Sequence, residues 1–293
     1  LLQTEKNATS YLAKTFYFNI KGLYYFTNKD FKNLLEHCLM LVDLLEKNPL
    51  LMKEDNYIAS LYNLLLVQLE LKLYDDSLVT IKKLRDLKTN SSTMQARIFV
   101  TSYDTELNLY LKTGEFEKGI PLVAEIESGL EKFKDKINKE SEVLFAYNIA
   151  YLFFGLGDYN NSLKWINIII NDKELNIRED IQCFARILNL LIHYELNNYD
   201  LIEYIMKSTR RYLSNKNKLN KFELIILNYI RKLINANIKD DKIYIYREWK
   251  KELNAISEDI PEIKASEYFD FIAWLDSNLK GKTFSEIVKE KKK

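Results

Sequence analysis

Glycine and proline are scarce in this sequence, with 7 and 3 among 293 residues. Strand-rich folds need frequent tight turns, and phosphate-cradling loops need glycine, so the shortage argues against both and favours long helices on short connections. Two cysteines, Cys38 and Cys183, are too few for a disulfide framework. That fits a reducing compartment and makes a cytoplasmic protein the expectation. An excess of one charge is missing as well: 43 basic residues face 42 acidic ones, so nothing in the total advertises a nucleic-acid partner. No apolar run approaches the roughly 18 residues that a membrane-spanning helix needs. Residues 1–6 carry neither a basic region nor a long apolar stretch of the kind a signal peptide shows. The chain does not open on Met and is expected to be a piece of a longer one.

What the sequence does contain is a period. A short polar turn opens onto a new apolar-periodic stretch at Phe31, Tyr74, Phe116, Tyr159, Tyr199, Asp241 and Phe284, at intervals of 40–43 residues. Such regularity marks stacked supersecondary units, each packing on its neighbours. A chain of this length then forms one domain, 1–293, without one oversized core.

The clearest unit runs from Phe145 to Ile170. Ile149, Leu152, Phe153 and Leu156 share one helical face, Gly157 ends that helix, and Asp158 caps the next. Tyr159, Leu163, Ile166 and Ile170 resume the 3.6-residue period. The pattern predicts first helices at 11–27, 56–73, 93–112, 140–156, 178–196, 220–236 and 264–279. Second helices are predicted at 30–47, 75–88, 116–134, 159–171, 199–214, 241–256 and 283–291. The expected fold class is all-α, a right-handed α-α superhelix of about six to seven hairpins.

These turns resemble those of tetratricopeptide repeats. Ala150, Gly157, Asp158, Tyr159 and Ser162 match that family's small residue, turn and second small residue in order, and Gly114, Glu115, Phe116 and Gly119 match more loosely. The period exceeds the family's usual 34 residues, and Ile202 stands where a small residue belongs. HEAT and armadillo arrays share the longer period and stay open as an architectural alternative.

The resemblance implies a groove lined by first helices and occupied by extended peptides. Carried over position by position, the groove residues are Asn19 and Leu23, Tyr62 and Leu66, Asp104 and Asn108, Tyr147 and Tyr151, then Ile187, Leu191 and Tyr194. Tyrosine suits a surface that is wet when free and dry when occupied. With 20 tyrosines in the chain, packing between hairpins is the competing reading. The family's carboxylate clamp of Lys and Asn is absent, because its places carry Asn19, Leu23, Tyr62 and Leu66.

Catalytic constellations do not emerge. His37 and His193 are far apart in the chain, and His37 beside Cys38 points about 100° away from it on a helix. No Gly-x-Ser-x-Gly or phosphate-loop pattern occurs, and Glu125, Glu127, Glu140 and Glu142 read as solvated carboxylates. Arg210, Arg211, Lys216 and Lys218 sit near a helix C-terminus, where cations favour the dipole. Trp249, Trp274, Tyr246, Tyr268, Phe269 and Phe271 make an aromatic-dense end, read as packed or as a docking patch. The expectation is a non-catalytic scaffold for a protein or peptide, with no metal or cofactor. The alternative is the sensor module of a larger regulator whose output domain lies elsewhere.

Overall fold

The computed structural model describes residues 7–172, 177–256 and 268–292, and every regular element among them is an α-helix. In order these are α1 (Tyr11–Thr27), α2 (Phe31–Glu46), α3 (Glu54–Glu70), α4 (Tyr74–Arg85), α5 (Ser92–Thr113), α6 (Phe116–Lys132) and α7 (Lys139–Gly155). There follow α8 (Tyr159–Asn171), α9 (Glu179–Glu195), α10 (Tyr199–Asn215), α11 (Lys221–Asn235), α12 (Lys239–Ile256), α13 (Phe271–Lys280) and α14 (Phe284–Lys292). α1 to α4 pack each on the next, as do α7 to α14, and α9 also lies against α7 and α11. The seventh first helix departs most from expectation. It starts at Phe271 rather than 264, because the Asp270 carboxylate accepts the Ala273 N–H at 2.8 Å and caps it there. Residues 264–267 lie outside the described part.

A single backbone device makes the hairpins. Lys29, Lys72, Gly114, Gly157 and Asn197 all adopt left-handed backbone, each two residues before an aromatic marker. In four of these turns the following N–H reaches back five residues: Asp30 to the Tyr25 carbonyl at 2.9 Å, Leu73 to Gln68 at 2.8 Å, Asp158 to Phe153 at 2.9 Å and Asn198 to His193 at 3.0 Å. This satisfies carbonyls the helix end would otherwise leave bare. Asp30 and Asp158 then cap the next helix through the amides of Asn33 and Asn161, at 3.3 and 3.1 Å. Before α12 no left-handed residue occurs: Ala236 is extended (φ -86, ψ 115), and this is the turn without an aromatic marker.

The chain divides into two compact units, one taking residues up to Leu109 with Glu131–Ile137, the other Tyr110–Leu130 and the residues from Asn138 onward. In the first, Leu45, Ile58, Leu61, Leu65 and Leu84 are fully buried where α2, α3 and α4 meet. Glu46 ties the same helices together, accepting from Tyr57 at 2.5 Å and from Lys83 at 2.8 Å. Beside them Arg85 of α4 meets Glu106 of α5 at 2.6 Å and lies 4.0 Å over the Tyr103 ring.

In the second unit the small residues of the repeat bring helices close. Ser162 donates to the Ala150 carbonyl at 2.7 Å, and both residues are fully buried. Gly155 lies against the Phe116 ring, where an added Cβ would come within 2.5 Å of the ring carbon Cε1. A glycine here is required by space.

The left-handed turns yield a test. Lys72 (φ 58) bears the steric cost of that conformation, about 1–2 kcal/mol, which glycine avoids. Lys72→Gly is expected to raise stability by about 0.5–1 kcal/mol in urea titrations followed by circular dichroism, after the entropic cost of glycine. Gly157→Ala, with open space around its missing Cβ, is expected to lower it by about 1 kcal/mol through the backbone alone.

Candidate functional site

Each first helix of the N-terminal unit leaves some of its side chains exposed or half-buried. On α1, Tyr17 and Phe18 turn inward while Leu12, Phe16, Asn19 and Leu23 stay exposed. On α3, Tyr62 and Leu66 are 40% and 42% exposed, with Leu61 and Leu65 buried behind them. On α5, Asp104 and Asn108 are half-buried one turn apart. Asn108 donates to the Asp104 carbonyl at 3.0 Å and to its carboxylate at 3.2 Å. Burial raises the Tyr62 phenol above its usual value, and the charge of Asp104 adds to the rise, so α3 and α5 converge here. An Arg97–Asp55 ion pair also links α5 to α3. The face is apolar on α1, mixed on α3 and polar on α5.

In the C-terminal unit the corresponding positions are covered. Tyr147, Tyr151 and Tyr194 are buried, as are Ile187 and Leu191. Against the three tyrosines lies the chain itself, between Tyr268 and Phe284. The Tyr147 hydroxyl donates to the Tyr268 carbonyl at 3.2 Å, and the Tyr151 hydroxyl accepts the Asp270 N–H at 3.2 Å. Tyr194 shares a hydrogen bond with Tyr246 at 2.8 Å and meets Trp274 edge-on. The Tyr268 ring stacks on Phe184 at 4.2 Å, while Phe269 packs on Tyr151 at 5.0 Å and stacks on Phe284 at 5.4 Å. α14 continues the contact: Ser285 donates to the Gly114 carbonyl at 3.0 Å and Lys289 reaches Glu117 at 3.2 Å.

Two carboxylates hold this segment, with opposite electrostatics. Asp180 accepts three hydrogen bonds from Arg178, the shortest at 2.8 Å, and one from the Tyr268 hydroxyl. Burial pushes its pKa up, but those hydrogen bonds and the guanidinium outweigh it and hold it at about 2. Glu195 accepts the Trp274 indole N–H at 2.6 Å. Burial raises its pKa in spite of that bond and a second from Tyr159. Glu195, Tyr159, Trp274 and Phe284 border a cavity of about 430 Å³.

Of the predicted groove residues, the structure brings Tyr62, Asp104 and Asn108 together, leaves Asn19 exposed on α1, and packs Tyr147, Tyr151 and Tyr194 beneath residues 268–284. The covering segment and its ties to Asp180 and Glu195 were not read from the sequence. The dense aromatics at Tyr268, Phe269, Phe271 and Trp274 were their only signal. Of the remaining candidates, His37 sits among Tyr17, Phe18 and Tyr25, its Nδ1 2.9 Å from the Asn33 carbonyl. His193 is buried, which lowers its pKa, with Nδ1 3.2 Å from the Asn198 amide. Burial raises both Cys38 and Cys183 to about 11. Arg210 joins Lys207, Lys221 and Arg231 on an open cleft of about 420 Å³.

Among the described residues no helix is long and apolar enough to cross a membrane. No protein-family model matches the chain, and no curated protein matches it.

The two carboxylates predict distinct pH behaviour. Asp180 is depressed below the ordinary aspartate value of about 3.9, so its contribution is complete above that pH and fades as pH falls through about 2. Tryptophan fluorescence should report loosening of residues 268–284 in that window, and Asp180→Asn should abolish the step. Glu195 is shifted the other way, so ionising it costs stability as pH rises above the ordinary glutamate range. Glu195→Gln retains an acceptor for Trp274 and is expected to add about 1 kcal/mol at neutral pH in thermal melts.

Proposed function

We propose that this chain is a non-catalytic binding scaffold, a tetratricopeptide-like right-handed superhelix that takes a protein or peptide segment on the first-helix face of its N-terminal unit. The observation that carries this reading is the contrast between equivalent faces. On α7 the tyrosines Tyr147 and Tyr151 bond through their hydroxyls to the backbone of residues 268–270, and on α9 Phe184 stacks on Tyr268 while Tyr194 meets Trp274 edge-on. On α1 and α3 the same register leaves Leu23, Tyr62 and Leu66 exposed, and on α5 it holds the half-buried Asp104 and Asn108. A face built to hold one segment is a face suited to hold another. Tyr62 supplies a ring with a polar tip, and the Asp104–Asn108 pair supplies acceptors and donors for a peptide backbone. The packing of α9 on both α7 and α11 supports stacked hairpins. In this reading the scaffold works in the cytoplasm and needs no metal or cofactor.

Affinity capture from lysate of the source cells, with the native chain as bait, tests this. The control carries Tyr62→Ala and Asp104→Ala. A protein held by the native chain is expected to be lost, by about ten-fold or more, from the control, since each change removes a contact of the hot-spot kind. Equal recovery on both baits would reject the face.

A further inference from the structure

The largest unexplained surface lies on α1. Leu12, Phe16, Asn19, Leu23 and Phe26 follow one another at intervals of four, three, four and three residues, the spacing at which one helix interlocks with a second. Ile20 and Tyr24 widen the strip, and its six apolar side chains are 56–67% exposed. A contiguous apolar patch on a charged, folded chain marks an interaction site. No charged residue stands on the seam, and Asn19 is its midpoint, seven residues from Leu12 and seven from Phe26.

We infer that α1 pairs with α1 of a second copy of this chain, antiparallel about a two-fold axis through Asn19. This rests on the reading of the first-helix face as a binding surface and names the partner at its α1 end. The seam is self-complementary, as a two-fold contact demands. Phe26 meets the partner's Leu12, and Phe16 falls within one residue, a rise of about 1.5 Å, of the partner's Leu23. Each layer therefore sets an aromatic ring on an aliphatic chain. Identical copies approach without like-charge repulsion, because the seam is uncharged.

Asn19 fixes the register. Its amide has two donors and an acceptor, so across the axis each side chain donates to the other. A slip along the helix would place both amides against apolar neighbours with no hydrogen-bond partner, which is costly in a buried seam. The area is also sufficient. Six side chains at this exposure offer on the order of 100 Å² each, so the pair has up to about 1,200 Å² to bury, the lower bound for a stable protein interface.

Light scattering on the full chain, across micromolar concentrations, should show a dimer. Leu23→Glu places two charges in the seam and should raise the dimer dissociation constant at least about a hundred-fold. Its circular dichroism should match the native chain, because Leu23 is 67% exposed in a single copy. With diamide as oxidant, Asn19→Cys should link to itself, whereas Leu12→Cys should link to Phe26→Cys and not to itself. Native Cys38 and Cys183 are buried, which keeps the background low. A monomer at every concentration, or a dimer indifferent to Leu23→Glu, would overturn the proposal. So would a dimer in which Leu12→Cys links to itself, since that is a parallel pair. A monomer whose Tyr62 and Asp104 variants still lose a captured protein would sink the α1 pairing and leave the binding face standing.

Discussion

A left-handed residue two positions before the outgoing helix, in five of the hairpin turns, is the constraint on which the rest of this structure depends. At Lys29, Lys72, Gly114, Gly157 and Asn197 the chain reverses in two residues, with the outgoing helix beginning at the aromatic marker. The sharpness of that reversal forces the two helices of a hairpin to lie side by side. It also sets which faces remain for the neighbouring hairpin. Among these five, glycine fills the turn twice, and lysine or asparagine elsewhere accepts the steric cost because carbonyls of the preceding helix end are satisfied in exchange.

Close packing then follows where small residues occur at the right places. Ser162 on Ala150, and Gly155 beneath Phe116, let helices approach further than larger side chains would permit. With those contacts made, the first helices α7, α9 and α11 come together, and their outer face becomes a surface in its own right. In the C-terminal unit that surface is closed by the chain's own aromatics. Phe269, Phe284, Tyr268 and Trp274 exclude water there, while hydroxyls and carboxylates take up the polar groups that burial strands.

The closing segment is held by a mixture of favourable and strained electrostatics. Asp180 is well matched, with a guanidinium and a phenol both donating to it. Glu195 is poorly matched, since burial of its charge outweighs the indole and phenol that donate to it. A contact with one tight anchor and one costly one responds to pH from both sides. Among the described residues, apolar side chains of the other unit's first helices stay exposed at α1 and α3.

Helix content, the position of nearly every turn and the assignment of residues to first or second helices were legible in the sequence. Hydrophobic period, turn chemistry and capping residues are local, and Asp158 caps α8 whatever lies beyond it. The groove positions were legible only as a register. Tyr62 and Tyr151 occupy equivalent places on α3 and α7, and nothing nearby in the chain distinguishes them. One is exposed and the other buried because Phe269 and Asp270, more than a hundred residues after Tyr151, fold back upon it. The break at Asp270 that starts α13 is of the same kind, since the strong apolar period through 264–279 concealed it. By itself, then, the sequence determined the hairpins and their order, through interactions spanning a few residues. Only the tertiary structure decided which faces are filled and which stay open, because burial depends on contacts between residues that the chain keeps far apart.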